Sequence, residues 1–184
     1  IKGTRPRGIT PASDAAQATA LHDDPKERAE HLMIVDLVRN DLGRICRSGS
    51  VQVASFAHLH TLPSLHHLES TVRGTLRPDT PLIAILHALF PGGSITGAPK
   101  IRAMEIIREI EATPRGFYTG AIGYITPQGD MCLNIAIRTA TVTPTATTYH
   151  AGGGIVADSD PQREYQETLL KSQPFFATVP TGPR

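Results

Sequence analysis

Hydrophobic positions along the chain switch repeatedly between helical spacing and strand alternation, and prolines punctuate the switches. Four helices are predicted from one device, a cap region followed by a proline whose missing N–H is one of the first turn's unpaired donors. Asp24-Pro25 opens a helix to about Asn40, with Glu27 placed to complete a capping box and Gly43 just past the end. Thr80-Pro81 opens a second that stops before Pro91, Ala98-Pro99 a third to about Glu111, and Asp160-Pro161 a fourth ending near Ser172. Runs rich in Ile, Val, Thr and Tyr at 51–59, 68–76, 117–126, 131–143, 145–150 and 154–157 read as strands, two of them joined by a hairpin turn at Pro127–Asp130. The segments 11–22 and 178–184 read as a mobile loop and a tail. Strands grouped apart from helices predict an α+β fold, layered and largely antiparallel, rather than a parallel nucleotide-binding sheet.

Composition narrows the function classes. The chain has 184 residues, enough for one sizeable core, so 1–184 is expected as one compact unit. Eighteen basic against seventeen acidic residues leave a net charge of +1, which removes the electrostatic case for a nucleic-acid coat or a membrane-surface protein. No apolar run approaches a membrane span and IKGTRPRG carries no secretory signature, so a cytoplasmic location is expected. Cys46 and Cys132 fit no disulfide framework or CxxC motif and are expected as packed, reduced side chains.

The glycine-rich segments are not nucleotide loops. In GGSITGAPK, Ala98 and Pro99 stand where a P-loop needs Lys and Ser/Thr, and after Gly152-Gly153-Gly154 the next helix begins too late for a dinucleotide fingerprint. Both can still offer unobstructed N–H groups to a carboxylate ligand, or serve as plain tight turns. Glu164 and Glu167 share a helix face with Lys171, a pattern that usually means a solvated edge. Glu30 falls on the stripe of Met33, Ile34 and Leu37, where a buried acid needs a cation or a hydrogen-bonding partner. If Glu30 meets Glu164 and Glu167, three carboxylates require a hard divalent ion, and oxygen-only ligation selects Mg²⁺ over zinc. His58 and His60 face one side of a strand while His66 and His67 alternate, so packing explains them more simply than zinc, although one could act as a proton donor. Arg138, ending an apolar strand, suits an acid or an anionic ligand; Lys2 on its own reads as a terminal charge.

IKGTRPRG (1–8), ERAEHLMIVDLVRNDLGR (27–44), HHLESTVRG (66–74), FPGGSITGAPKIRAMEII (90–107), YTGAIGY (118–124), NIAIRT (134–139) and AGGGIVADSDPQREYQETLLK (151–171) together resemble the C-terminal part of the chorismate-utilising enzymes, the anthranilate, aminodeoxychorismate, isochorismate and salicylate synthases. The resemblance implies a two-layered α/β sandwich with large antiparallel sheets that binds chorismate with Mg²⁺. By resemblance, Glu30, Glu164 and Glu167 match the Mg²⁺ ligands, and His67 the histidine beside the ring carboxylate and leaving group. Tyr118 and Arg138 match the pair facing the enolpyruvyl carboxylate, with Gly152, Gly153 and Gly154 as backbone donors to it. Ser94 and Thr96 match pocket-lining positions, and Lys171 a lysine near the metal-bound carboxylate.

Lys2 distinguishes branches. IKGT resembles the PIKGT motif of aminodeoxychorismate synthases, component I, where anthranilate synthases resemble PIAGT. The lysine branch implies an amine that attacks carbon 2 of chorismate and expels the carbon 4 hydroxyl, after which ammonia from a glutamine amidotransferase attacks carbon 4. Such an amine needs a lowered pKa. The family's N-terminal half is missing from this sequence, together with an upstream carboxylate that resembles the general acid, so exposed sheet edges and core surface are expected. An anthranilate synthase and a non-catalytic fragment remain the competing readings.

Overall fold

The computed structural model describes residues 1–157 and 159–178; beyond residue 178 the expected tail lies outside the described residues. The elements run β1 (Lys2–Pro6), α1 (Pro11–His22), α2 (Pro25–Gly43), β2 (Gln52–Thr61), β3 (Leu65–Arg73), α3 (Leu82–Leu89), α4 (Gly93–Thr96), α5 (Lys100–Ile110), β4 (Ala121–Ile125), β5 (Met131–Ile135), β6 (Ala140–Val142), β7 (Thr147–Tyr149) and α6 (Pro161–Thr178). Every strand pair is antiparallel, as the α+β expectation requires. The chain forms two compact units, Ile1–Leu89 and Phe90–Arg184.

In the first unit the sheet order is β1-β3-β2, with α1 and α2 packed on it. Leu21 and Leu68 are fully buried in this unit, and Ile45, Cys46 and Ala88 form a buried cluster with Leu42, Val51, Ile85 and Leu89 around it. The segment 11–22, expected as a loop, is helix α1. The Thr10 side chain accepts from the Ser13 N–H, the Ser13 side chain returns to the Thr10 backbone, and Pro11 occupies the first turn. The weak apolar periodicity hid this helix, which buries only Leu21.

On α2 the Asp24 carboxylate accepts from the backbone N–H of Lys26 and Glu27, so the cap forms without the expected return from Glu27. The buried stripe is also rotated from the expected one. His31, Val35 and Asp41 are buried, Ile34 and Leu37 half-buried, and Met33 faces outward at 40% exposure. The terminal segment is a paired strand, with Lys2 opposite Leu68 and Thr4 opposite His67 across a bulge at Gly3. Gly3 has φ +79°, a conformation that costs a glycine little.

The second unit holds two hairpins, β4-β5 and β6-β7, with α4, α5 and α6. The expected turn at 127–130 joins β4 to β5; Gly129 has φ +91° and the Thr126 N–H donates to the Asp130 carbonyl. Residues 154–157, expected as a strand, form none, and the expected 131–143 run divides at Arg138, whose φ is +54°. Helix α6 continues past Ser172. In that turn the Lys171 carbonyl accepts from Arg138 and Tyr149. Cys46 is buried as expected, whereas Cys132 on β5 is exposed. Among the described residues no single helix is long and apolar enough to cross a membrane.

Candidate functional site

The candidate residues fall into two groups, one in each unit. In the first, the β1 bulge directs the Lys2 ammonium to Glu30 on α2, with Nζ 2.8 Å from Oε2; Lys26 approaches the other oxygen at 3.9 Å. The acid on the inner side of α2 therefore has its cation. One strand over, His67 Nδ1 lies 3.1 Å from the Gly3 carbonyl and 2.9 Å from Thr4 Oγ1. A carbonyl only accepts, so the proton is assigned to Nδ1, which leaves Nε2 as an acceptor.

Glu27, read from sequence as a cap, belongs to this group. Its carboxylate oxygen Oε2 would be 3.0 Å from a Cβ at Gly3, and burial, reinforced by the charges of Glu30 and Asp24, pushes its proton affinity up. The signal was present, since Glu27 and Glu30 repeat the three-residue spacing of Glu164 and Glu167. Beneath them His31 is buried against the edge of Phe56, with Nε2 2.5 Å from Ser70 Oγ; burial holds its proton affinity below the usual histidine value.

The second unit brings seven candidates together: Tyr118, Arg138, Gly152, Gly153, Glu164, Glu167 and Lys171. Tyr118 stacks on His150 with ring centroids 5.3 Å apart, and its hydroxyl would be 2.9 Å from a Cβ at Gly152. Burial raises the Tyr118 phenol, so it remains a donor at neutral pH. A Cβ at Gly153 would meet Glu164 Oε2 at 3.3 Å and Lys171 Nζ at 3.8 Å. Glu164 Oε1 accepts from the Ser159 hydroxyl at 2.7 Å, and Glu167 is ion-paired with Lys171 one turn along α6. The two glycines thus form a cradle that side chains would fill, ringed by a phenol, an ammonium and carboxylates.

Arg138 donates from Nη1 to the Lys171 carbonyl at 2.6 Å, an anchoring contact the sequence did not foresee. The contact leaves part of its fork for an anion. Gly154 is exposed in the coil that follows. Ser94 and Thr96 lie on α4; Ser94 is exposed, and Thr96 Oγ1 donates to the Gly92 carbonyl. Arg115, missed by sequence reasoning, ties this region together. It forks onto Glu111 at 2.8 and 2.6 Å, donates to the Ile95 carbonyl and Thr119 Oγ1, and lies 5.7 Å from the Tyr118 ring. His150 was also missed, although an aromatic ring beside AGGG was visible in the sequence.

Within neither unit do three His, Cys, Asp or Glu side chains among the described residues converge as a metal site. The donors that are present fit a hard cation nonetheless, because all the candidates, Glu30, Glu164 and Glu167, offer carboxylate oxygens. An open cavity of about 590 Å³ in the first unit, bordered by Arg44, Arg77, Pro81, Ile83 and His87, has none of the candidate residues in its lining.

The chain is 50% identical over 179 residues to the aminodeoxychorismate synthase of Streptomyces pristinaespiralis, covering 97% of this chain and 25% of that protein. It is 53% identical over 181 residues to anthranilate synthase component 1 1 of Haloarcula marismortui, covering 97% of this chain and 37% of the relative. In structure it is similar to anthranilate synthase component I from Streptococcus pneumoniae TIGR4, with a TM-score of 0.79 and 46% identity over 88% of this chain and 37% of that one. The chain therefore spans well under half the length of these relatives. Residues 1–177 match the family described as chorismate binding enzyme. With the match running through nearly every element, the chain belongs to the chorismate-binding enzymes.

Proposed function

We propose that this chain is the part of an aminodeoxychorismate synthase that binds chorismate and carries its nucleophile, converting chorismate and ammonia to 4-amino-4-deoxychorismate. The observation that carries the reading is Lys2: the bulge at Gly3 places its amine on α2's acids, beside the strand bearing His67. Attack by Lys2 Nζ forms a bond to carbon 2 while the carbon 4–oxygen bond breaks, with the ring double bonds shifting between them. The hydroxyl departs as water, protonated by the upstream carboxylic acid that the family resemblance implies, and His67, its Nδ1 proton committed to the Gly3 carbonyl, accepts a hydrogen bond from that hydroxyl through Nε2. Ammonia then bonds to carbon 4 and the Lys2–carbon 2 bond breaks, returning the amine. Some relatives are named as component 1 of their synthases, and we assign the ammonia to a glutamine amidotransferase as the further component.

Substrate carboxylates need compensation when they leave water. Tyr118 as a neutral donor, the free part of the Arg138 fork and the N–H groups of 152–154 supply it for the enolpyruvyl carboxylate; Ser94 and Thr96 border the pocket. Glu164 and Glu167 on α6, with Lys171 beside them, are assigned as carboxylate ligands of Mg²⁺, and Glu30 on α2 is assigned the same role. A bound divalent ion supplies positive charge that draws electrons towards the ring carboxylate.

The test is mass spectrometry of the protein carrying this chain, quenched with chorismate and without ammonia. A mass increase on the Lys2 peptide is expected, and Lys2→Ala should abolish it with most ammonia-dependent turnover. No increase under active conditions rejects the covalent step. The 53% identity to an anthranilate synthase component sustains a second reading, separated by the product: anthranilate with pyruvate, or 4-amino-4-deoxychorismate.

A further inference from the structure

The expected metal ligand Glu30 and the expected nucleophile Lys2 are bonded to each other. Lys2 Nζ sits 2.8 Å from Glu30 Oε2, with side chains 31% and 21% exposed, while Lys26 stands 3.9 Å from Oε1 and is 64% exposed. The short contact is the shielded one, so Lys2 neutralises most of the Glu30 charge and the surface lysine adds little. The same relation recurs in the second unit, where the candidate ligand Glu167 is ion-paired with Lys171. A carboxylate oxygen engaged by an ammonium at hydrogen-bond distance has no room on that side for a divalent ion at about 2.1 Å, and two cations on one edge repel.

We propose that Lys2 is an exchangeable counter-ion of Glu30. A divalent cation binding Glu30 displaces the Lys2 ammonium, and only the displaced side chain is free to swing to substrate. Metal loading and release of the nucleophile are then one event, and an enzyme without metal keeps its lysine parked. The inference rests on Glu30 being a metal ligand, and it assigns Lys2 a task in addition to nucleophilic attack.

Binding of Mn²⁺ alone, a hard oxygen-seeking probe, is measured by the loss of its free EPR signal, with folding checked by circular dichroism. Glu30→Gln should weaken Mn²⁺ binding about tenfold or more. Lys2→Met should tighten it about three- to fivefold, the strength of one partly shielded ion pair. Lys26→Met should change it less than about twofold, and Lys2→Arg, which retains the pair, should not tighten it. The gain from Lys2→Met should vanish in the Glu30→Gln background, a coupling that a diffuse charge effect would not show. If Glu30→Gln binds like the unaltered chain, the metal reading and this inference fail together. If Glu30→Gln weakens binding while Lys2→Met leaves it unchanged, or if Lys26→Met matches Lys2→Met, the exchange alone is rejected.

Discussion

A methyl group at Gly152 would approach the Tyr118 hydroxyl to 2.9 Å, closer than such contacts occur, yet the obstacle is the far end of one side chain. Tyr118 is held by stacking on His150 and by Arg115 beside its ring, so it can yield only by tilting away from the glycine cradle. Gly152→Ala should therefore cost little stability, under about 1 kcal/mol, because the neighbour moves rather than the backbone. It should weaken chorismate binding, read by calorimetry against an unchanged urea midpoint. Arg115→Ala should do the reverse. It removes a two-pronged pair to Glu111 and the donor to the Ile95 carbonyl, so a loss of about 1–3 kcal/mol is expected in urea unfolding.

At the scale of elements, helix α1 is pinned to the sheet through Asp14. Its carboxylate accepts from Arg7 at 2.8 and 2.7 Å, from the Gly8 N–H at 2.8 Å, and lies 2.9 Å from buried His66. The Arg7 hydrogen bond, then the Gly8 N–H, hold the Asp14 carboxyl well below the usual carboxylate range. A carboxyl depressed in the folded state contributes stability above its unfolded value and loses it as pH falls through the folded one. Asp14→Asn should thus lower the melting temperature at pH 7, and the gap to the unaltered chain should close progressively below pH ~4. A gap independent of pH would show that packing, not charge, holds α1. Its start was legible all the same, since Thr10-Pro11 repeats the cap-and-proline device of the other helices; alanine-rich residues without a clear stripe concealed the remainder.

For the whole molecule, large apolar side chains stay on the surface in both units. Ile101, Met104 and Ile110 project from α5, which buries no residue, and every residue of β4 is exposed. The sequence anticipated exposed core surface from the family resemblance, and a surface this apolar favours association. The isolated chain should bind the dye ANS and self-associate at micromolar concentration. Ile101→Glu with Ile110→Glu should reduce the associated fraction in sedimentation velocity without lowering the melting temperature.

Local chemistry was written in the sequence itself. Prolines after caps placed the starts of α2, α5 and α6, a glycine turn placed the β4-β5 hairpin, and alternation set His66 and His67 on opposite sides of their strand, His66 proving to be the buried one. These follow from neighbours a few residues apart, where φ/ψ preference and side-chain period suffice. What depends on residues distant in sequence had to come from the tertiary structure. Nothing near Lys2 shows that it belongs to a paired strand facing Glu30, 28 positions on, or that Glu27 is an inner acid rather than a cap. The α2 stripe was read one position away from its true centre because the sheet, not the helix, decides which side is covered. Arg138 likewise bonds a carbonyl 33 residues away, a partner that only the packing of α6 supplies.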